Sequence, residues 1–145
     1  MAPEGLKPYF QQAEAAVGPY LKAGKVNAFE YGNELFTGIT PIPSPGHTPG
    51  HTFYELKSKN QKILFWGDVM HAPAVQFADP AVTIVYDVDP KKAAAQRASA
   101  YADAAKNGYW VAGDHLSYPG IGHIRAADKA GYIWIPVNYS TYSPQ

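Results

Sequence analysis

The sequence predicts a single domain of the α/β or α+β class. Short apolar segments with the pattern of strands alternate with two segments that have the pattern of helices, and such interleaved elements build one layered domain. The length of 145 residues is ordinary for one domain, and the chain contains no internal repeat, low-complexity tract or linker.

Two helices are predicted. Residues 3–23 are alanine-rich and are followed by a glycine, which predicts a helix with a kink or break at Gly18–Pro19. Asp89–Pro90 joins a capping residue to a favoured first-turn residue, and it predicts a second helix that runs to about Asn107 and ends at Gly108. The second pattern is the more complete one, because both of its ends carry a signal.

Strands are predicted where apolar or alternating residues are bounded by turn residues. In chain order they are two short strands within 27–42, a hairpin over 51–67 that turns at 57–61, a strand at 83–88, a strand at 109–113, and a hairpin over 123–137 that turns near 128–131. The aromatic residues of the segment 131–142 are expected in the core, with the wall of an apolar pocket as the alternative.

Composition and charge exclude several classes of protein. The chain has 12 basic and 12 acidic residues, a formal net charge of zero and no basic run, which disfavours a nucleic-acid or anionic-membrane partner. It has no cysteine, so a disulfide framework, a thiolate zinc site and a cysteine nucleophile are ruled out. There is no signal-peptide pattern and no apolar run near about 20 residues, so we expect a soluble chain of undetermined compartment.

Three polar residues each follow the end of a predicted strand. His47 lies in SPGHTPGHTF, whose prolines and glycines predict a stiff loop, while Asp68 follows KILFWG and His115 follows YWVAGD. Strand ends collect at the rim of a layered sheet, so the three side chains can converge there. Imidazole and carboxylate groups on rigid loops suit a divalent ion such as zinc. The alternative is that the histidines are hydrogen-bonding loop residues and that Asp68 belongs to a plain turn.

Four further polar residues are candidates for the same site. His51, His71 and His123 are expected to support or orient ligands through hydrogen bonds, or to be structural, rather than to bind metal. Asp114 adjoins His115, and neighbouring side chains on an extended backbone point to opposite sides, so only one of the two should face a metal. No Ser-His-Asp grouping and no phosphate-binding glycine loop is visible.

Three ordered motifs carry a family resemblance, namely GHTPGHTFYEL, ILFWGDVMHAPAVQF and HLSYPGIGHIRA. From about Gly24 onward the chain resembles the C-terminal half of a metallo-β-lactamase-fold hydrolase, and it is most similar to the methyl parathion hydrolase-like branch. The resemblance implies half of a four-layer αβ/βα sandwich, with a mixed sheet and two main helices. It also implies a site for two divalent ions, in which His47 binds one ion, His115 binds the other and Asp68 bridges both.

The chain departs from this family at the remaining metal ligands. These belong to an HxHxDH motif, and none of the five histidines here forms an H-x-H pair. The resemblance therefore implies that residues 1–145 are a partial domain of a hydrolase that attacks small-molecule esters, lactones or organophosphates with metal-activated water. The metal pair, zinc by expectation, would be complete only in the intact enzyme, so the chain alone should be inactive.

A second reading is a degenerate, non-catalytic half that serves in interaction or self-assembly. The sheet face that a partner half would cover is expected to be apolar, and a large apolar patch in water is unfavourable. Two copies could then cover each other as a homodimer.

Overall fold

The computed structural model describes residues 4–138. The chain divides into two compact units, with the boundary between Glu30 and Tyr31. The sequence predictions made for Pro3 and for residues 139–142 lie outside the described residues. Among the helices that the structure describes, none has the length and apolar character needed to cross a membrane.

The first unit is helical. A 3-10 turn, Glu4–Leu6, leads into helix α1, Lys7–Lys22, and the chain then turns at Gly24, whose φ is 64°. Of the predicted kink or break at Gly18–Pro19, the break does not occur, because the helix continues through Pro19 to its end. Proline removes one helical hydrogen bond, but α1 has no buried residue, so water can satisfy the carbonyl group that loses its partner.

The second unit is built on one six-stranded mixed sheet. Its strands are β1 Ile39–Pro43, β2 Thr52–Ser58, β3 Gln61–Phe65, β4 Trp110–Ala112, β5 Ile121–Ala126 and β6 Tyr132–Pro136. They lie side by side in sequence order, and every neighbouring pair is antiparallel except β3 and β4, which are parallel.

The direction of the strands decides where loops collect. Since β1 and β3 are both antiparallel to β2, and β4 is parallel to β3, the strands β1, β3 and β4 all point the same way. Their C-terminal ends therefore lie at the same end of the sheet, where the strands run into loops. We call this end the loop edge. The sequence placed its candidate metal ligands just after these three strands, so the topology brings the corresponding loops together.

Most of the predicted β elements are confirmed. The first hairpin turns at Lys59 and Asn60, both with positive φ (47° and 63°), a backbone that suits the twist of a two-residue hairpin. The strand at 109–113 and the final hairpin are also present, as β4 and as β5 with β6. Of the two strands predicted within 27–42, only β1 forms.

The strand predicted at 83–88 is wrong, because this segment forms a turn. Asp87 folds back, and one of its carboxylate oxygens accepts a hydrogen bond from the backbone N–H of Ile84 at 3.1 Å. Val85 is 90% exposed, so the alternation of apolar residues does not reflect a buried strand face. Backbone pairing goes instead to the loop after β1, since the Val88 N–H donates to the His47 carbonyl oxygen at 3.0 Å.

Two further helices belong to this unit, and the longer one contributes buried residues to the core. Helix α2 is Pro73–Gln76 and helix α3 is Pro90–Asn107. As predicted, the Asp89 carboxylate accepts from the Lys92 N–H, and Gly108 closes the helix with φ 65°. Helix α3 packs on one face of the sheet with a buried core that includes Phe53, Leu64, Trp66, Tyr101, Val111 and Ile124.

A carboxylate on the core side of β2 gives a pH-dependent prediction. Glu55 is 8% exposed and accepts from Lys57 Nζ at 2.6 Å and Lys62 Nζ at 2.8 Å. Burial alone would raise the pKa of Glu55, but these two ammonium groups lower it below its ordinary value. The ionised Glu55 carboxylate and its two lysine partners therefore stabilise the fold at pH values above the ordinary glutamate pKa. This contribution is lost as the pH falls through the lower pKa of the folded state.

We expect Glu55→Gln to lower the free energy of unfolding at neutral pH by about 1 kcal/mol, because Lys57 is largely exposed and screened. The difference should shrink once the carboxylate is protonated in acid. Urea unfolding at neutral and acidic pH measures both values, with Glu14→Gln on α1 as the matched control. A difference that grows in acid would contradict the lowered pKa.

Candidate metal centre

The three predicted ligands meet at the loop edge of the sheet. Asp68 sits in a 3-10 turn, Gly67–Val69, directly after β3. His115 Nε2 lies 2.8 Å from Asp68 Oδ1, and His47 Nε2 lies 3.6 Å from Asp68 Oδ2. The carboxylate thus stands between two imidazoles that are separated from it by 47 and 21 positions in sequence.

His71 also belongs to this cluster. Its Nε2 is 3.8 Å from Asp68 Oδ1, and its ring centroid lies 4.7 Å from that of His47 and 4.4 Å from that of His115. His47, Asp68 and His71 each offer one ligand atom within 4.8 Å of the others. The sequence analysis gave His71 only a supporting part, whereas the structure brings it among the predicted ligands.

Both ring nitrogens of His51 form hydrogen bonds within the protein. Its Nε2 accepts a hydrogen bond from the backbone N–H of Asp68 at 2.9 Å. Its Nδ1 lies 3.1 Å from the carbonyl oxygen and 2.6 Å from the hydroxyl of Ser44, so the ring proton resides on Nδ1. Because both ring nitrogens are engaged by protein groups, His51 has no free lone pair for an ion, and it positions Asp68 from behind.

His123 and Asp114 do not join the cluster. His123 lies on β5, where its Nδ1 contacts the carbonyl oxygen of Tyr109 at 3.1 Å and its ring lies 3.9 Å from that of Trp110. Of the two parts that the sequence left open for His123, these contacts favour the structural one, because β5 turns its side chain to the sheet face opposite α3. Asp114 is exposed.

The stiff loop is fixed against the start of α3. The Gly46 carbonyl oxygen accepts from the Asp89 N–H at 2.9 Å, next to the bond between Val88 and His47. Gly46 has φ 155°, and a Cβ atom there would lie 2.4 Å from the Ala93 nitrogen. Only glycine permits this close approach, so the loop that carries His47 is seated directly on the helix backbone.

Two buried charged residues that the sequence analysis missed lie under the cluster. Asp87 Oδ1 is 3.1 Å from His47 Nδ1, and the Asp87 side chain is fully buried beside the fully buried Arg97. A signal for Arg97 was present, because it shares the i, i+4 spacing of the buried positions Ala93 and Tyr101 in an alanine-rich helix. The signal for Asp87 was a lone carboxylate in the apolar stretch TIVYDV, which the strand prediction obscured.

The electrostatics favour an ionised Asp68 carboxylate and neutral imidazoles at His51 and His71. Burial opposes ionisation of Asp68, but the hydrogen bond from His115 and the nearby His47 and His71 lower the pKa of its carboxyl group. Burial, followed by repulsion from His115 and His47, lowers the pKa of His71. Burial likewise lowers the pKa of His51. Ionised carboxylate and neutral imidazole are the states in which these side chains bind a metal.

The donor set fits a divalent cation. Two ligand atoms on one tetrahedral ion, with bonds of about 2.0–2.2 Å, lie about 3.4 Å apart, and the three contacts to Asp68 of 2.8, 3.6 and 3.8 Å bracket that spacing. Nδ1 of His71 is buried and has no hydrogen-bond partner in the part of the chain that the structure describes. Mixed nitrogen and oxygen donors suit zinc, manganese, cobalt or iron. His47, Asp68, His71 and His115 are the residues that could hold an ion.

Solved structures with the same fold are hydrolases. The hydrolase AbOPH of the beta lactamase superfamily matches with a TM-score of 0.87 and 39% identity, over 95% of this chain and 48% of its own. AidC, a dizinc quorum-quenching lactonase in complex with a product, N-hexnoyl-L-homoserine, matches with a TM-score of 0.82 and 27% identity, over 96% and 46%. A probable metal-dependent hydrolase from Staphylococcus aureus shares the fold at a TM-score of 0.62 and 21% identity, over 82% and 42%.

The comparisons identify the fold class of the chain. The mixed six-stranded sheet with its helices is the α+β fold of metallo-β-lactamase-type hydrolases, which confirms the predicted fold class. Within that class the chain is similar to AbOPH and AidC in particular, and it spans about half the length of each. Neither a protein-family model nor a curated protein sequence matches the chain.

Proposed function

We propose that this chain is the C-terminal portion of a metal-dependent hydrolase of the metallo-β-lactamase superfamily. The observation that carries the proposal is the convergence of His47, Asp68, His71 and His115 at the loop edge, on the fold of enzymes that include a dizinc lactonase. In this proposal the complementary half supplies the HxHxDH ligands that the sequence lacks.

The proposed roles follow the family resemblance and the geometry. His47 would hold one ion, His115 would hold the second, and Asp68 would be shared by both. Bound divalent ions would lower the pKa of water towards neutrality and polarise the group under attack. His71 lies between His47 and His115, where it can orient a ligand or substrate oxygen. A separate protein nucleophile is not required.

The proposed substrates are small molecules with a polarised carbonyl or phosphoryl group, namely lactones, aryl esters or organophosphate triesters. A lactone is supported by AidC, which was solved with a homoserine product. An organophosphate follows from the proposed methyl parathion hydrolase-like branch. Both classes need the same event, attack by activated water on an electrophilic carbon or phosphorus.

A chimera tests this proposal. The part of AbOPH that this chain does not match would be joined to residues 1–145, so that a complementary half is supplied. We expect the zinc-loaded chimera to hydrolyse a panel of homoserine lactones, nitrophenyl esters and nitrophenyl phosphotriesters, with the AbOPH part alone as the control. A folded, zinc-loaded chimera without activity on any of the three classes would refute the proposed function.

The metal content of the isolated chain gives a further prediction. We expect well under two ions per chain after dialysis against zinc, because each ion of a pair would keep only part of its ligand set. His47→Ala should reduce the bound zinc further, whereas His123→Ala should not, since His123 lies away from the cluster. Elemental analysis by mass spectrometry measures all three proteins. A full pair of ions on the parent chain would show that the assumed missing ligands are not needed.

The alternative function is interaction or self-assembly, and one observation favours it. On the sheet face opposite α3, Ile63, Trp110 and Ile121 line an apolar hollow of about 290 Å³, while Phe65 and Ile135 are 41% and 42% exposed. Such a face needs a cover. Sedimentation of the isolated chain would show a stable homodimer under this alternative, and the chimera would then be inactive.

A further inference from the structure

The imidazole of His47 has two nitrogens, and only one of them faces Asp68. Nε2 points into the cluster, while Nδ1 lies 3.1 Å from Asp87 Oδ1. A neutral imidazole carries one proton, and the nitrogen without it provides the lone pair. The group that faces Nδ1 therefore decides whether Nε2 can bind an ion.

Asp87 is itself held on several sides. Its side chain has no exposed surface, its Oδ2 accepts from the Ile84 N–H, and Arg97 Nη2 lies 3.7 Å from the same oxygen. Oδ2 thus faces two donor groups, the Ile84 N–H and the Arg97 guanidinium, while Oδ1 faces His47. This arrangement makes Asp87 an acceptor towards Nδ1 of His47.

Arg97 connects this carboxylate to the loop after β3. Its Nε donates to the carbonyl oxygen of Val69 at 2.7 Å, next to Asp68, and its Nη1 donates to those of Pro80 and Val82. Gln76 also donates to the Val82 carbonyl oxygen, and its own side-chain oxygen accepts from the His71 N–H at 2.7 Å. One buried polar network, anchored on α3, therefore reaches the side chain of His47, the backbone of His71 and the residue that follows Asp68.

We propose that Asp87, held in place by the Ile84 N–H and by Arg97, is a positioning residue that fixes the proton of His47 on Nδ1 and leaves Nε2 as the metal-binding atom. The inference rests on the proposed metal-dependent function. Hydrogen bonds of this kind behind a ligating histidine typically contribute 10- to 100-fold to metal affinity. Asp87 does not touch the ion or the substrate in this proposal, and it acts through His47.

The tautomer of His47 tests the inference on the metal-free chain. Nitrogen-proton NMR correlations of the imidazole, assigned with His47→Gln, should show the proton on Nδ1 in mildly alkaline buffer. In Asp87→Asn the new amide can donate to Nδ1, so the proton should move to Nε2. A merely structural role of Asp87 would not move this proton. Asp128→Asn, an exposed carboxylate at the turn after β5, is the charge-matched control.

Zinc affinity provides the second readout. Calorimetric titration with zinc alone should give a dissociation constant at least tenfold weaker in Asp87→Asn than in the parent chain and in Asp128→Asn. Retention of the Nδ1 proton in folded Asp87→Asn, or its presence on Nε2 in the parent chain, would overturn the inference. The parent tautomer decides even where Asp87→Asn does not fold. An inactive chimera that keeps the predicted tautomer would refute the proposed hydrolase and leave the positioning of His47 intact.

Discussion

The Asp68→Ala variant of the zinc-loaded chimera is expected to lose at least 10³-fold in kcat/KM on whichever substrate class the parent accepts. That loss corresponds to about 4 kcal/mol of transition-state stabilisation. The reason is geometric, because Asp68 is the residue that contacts His47, His71 and His115 at once. Without the carboxylate, the imidazoles would no longer share an anionic partner, and the proposed ions would lose the ligand that they have in common.

The control for this variant is Asp114→Ala, which removes an exposed carboxylate near the same loop edge. We expect it to keep activity within a few-fold of the parent chimera. Thermal unfolding followed by circular dichroism, together with zinc content, shows whether each variant folds and loads. Turnover within tenfold of the parent in a folded Asp68→Ala chimera would refute the bridging role of Asp68.

Replacing Gly46 with alanine should have the second largest effect, on stability as well as on metal binding. The new Cβ would lie 2.4 Å from the Ala93 nitrogen and 2.8 Å from the Lys92 carbonyl carbon, both of them backbone atoms. Neither can move without displacing α3, and the φ of 155° adds strain for a residue with a side chain. We expect a loss of about 3 kcal/mol in the free energy of unfolding.

The same loop contains a matched control. A Cβ atom added at Gly50 would meet no heavy atom within 4 Å beyond its chain neighbours, so Gly50→Ala should change stability by less than about 1 kcal/mol. Urea unfolding measures the stability, and zinc titration tests whether the loop that carries His47 has moved. Equal stabilities for the two variants would contradict the seating of this loop on α3.

Local signals predicted much of this fold because they act within a few residues. Asp89 and Gly108 define α3 through its capping hydrogen bond and its left-handed closing residue, and both are visible as sequence. The turn at Lys59 and Asn60 follows in the same way from polar residues between two apolar runs. Each of these features needs no knowledge of distant contacts.

Features that depend on tertiary contacts were missed or misjudged. The apolar alternation around Val85 predicts a strand, but the buried contacts of Asp87 fold the segment into a turn. His71 appeared peripheral because its place beside His47 and His115 depends on the loops after three different strands. The convergence of His47, Asp68 and His115 could be expected from their positions after strands, whereas their distances could not.

The common direction of β1, β3 and β4 has a practical consequence. The turn at Lys59 and Asn60 lies at the end of the sheet remote from the loop edge, as does the α3–β4 connection at Gly108. We therefore expect that affinity tags, fluorescent labels or inserted peptides can be attached at Lys59–Asn60 without moving the candidate metal ligands. Changes at that end of the sheet need not disturb the loops that carry the candidate ligands.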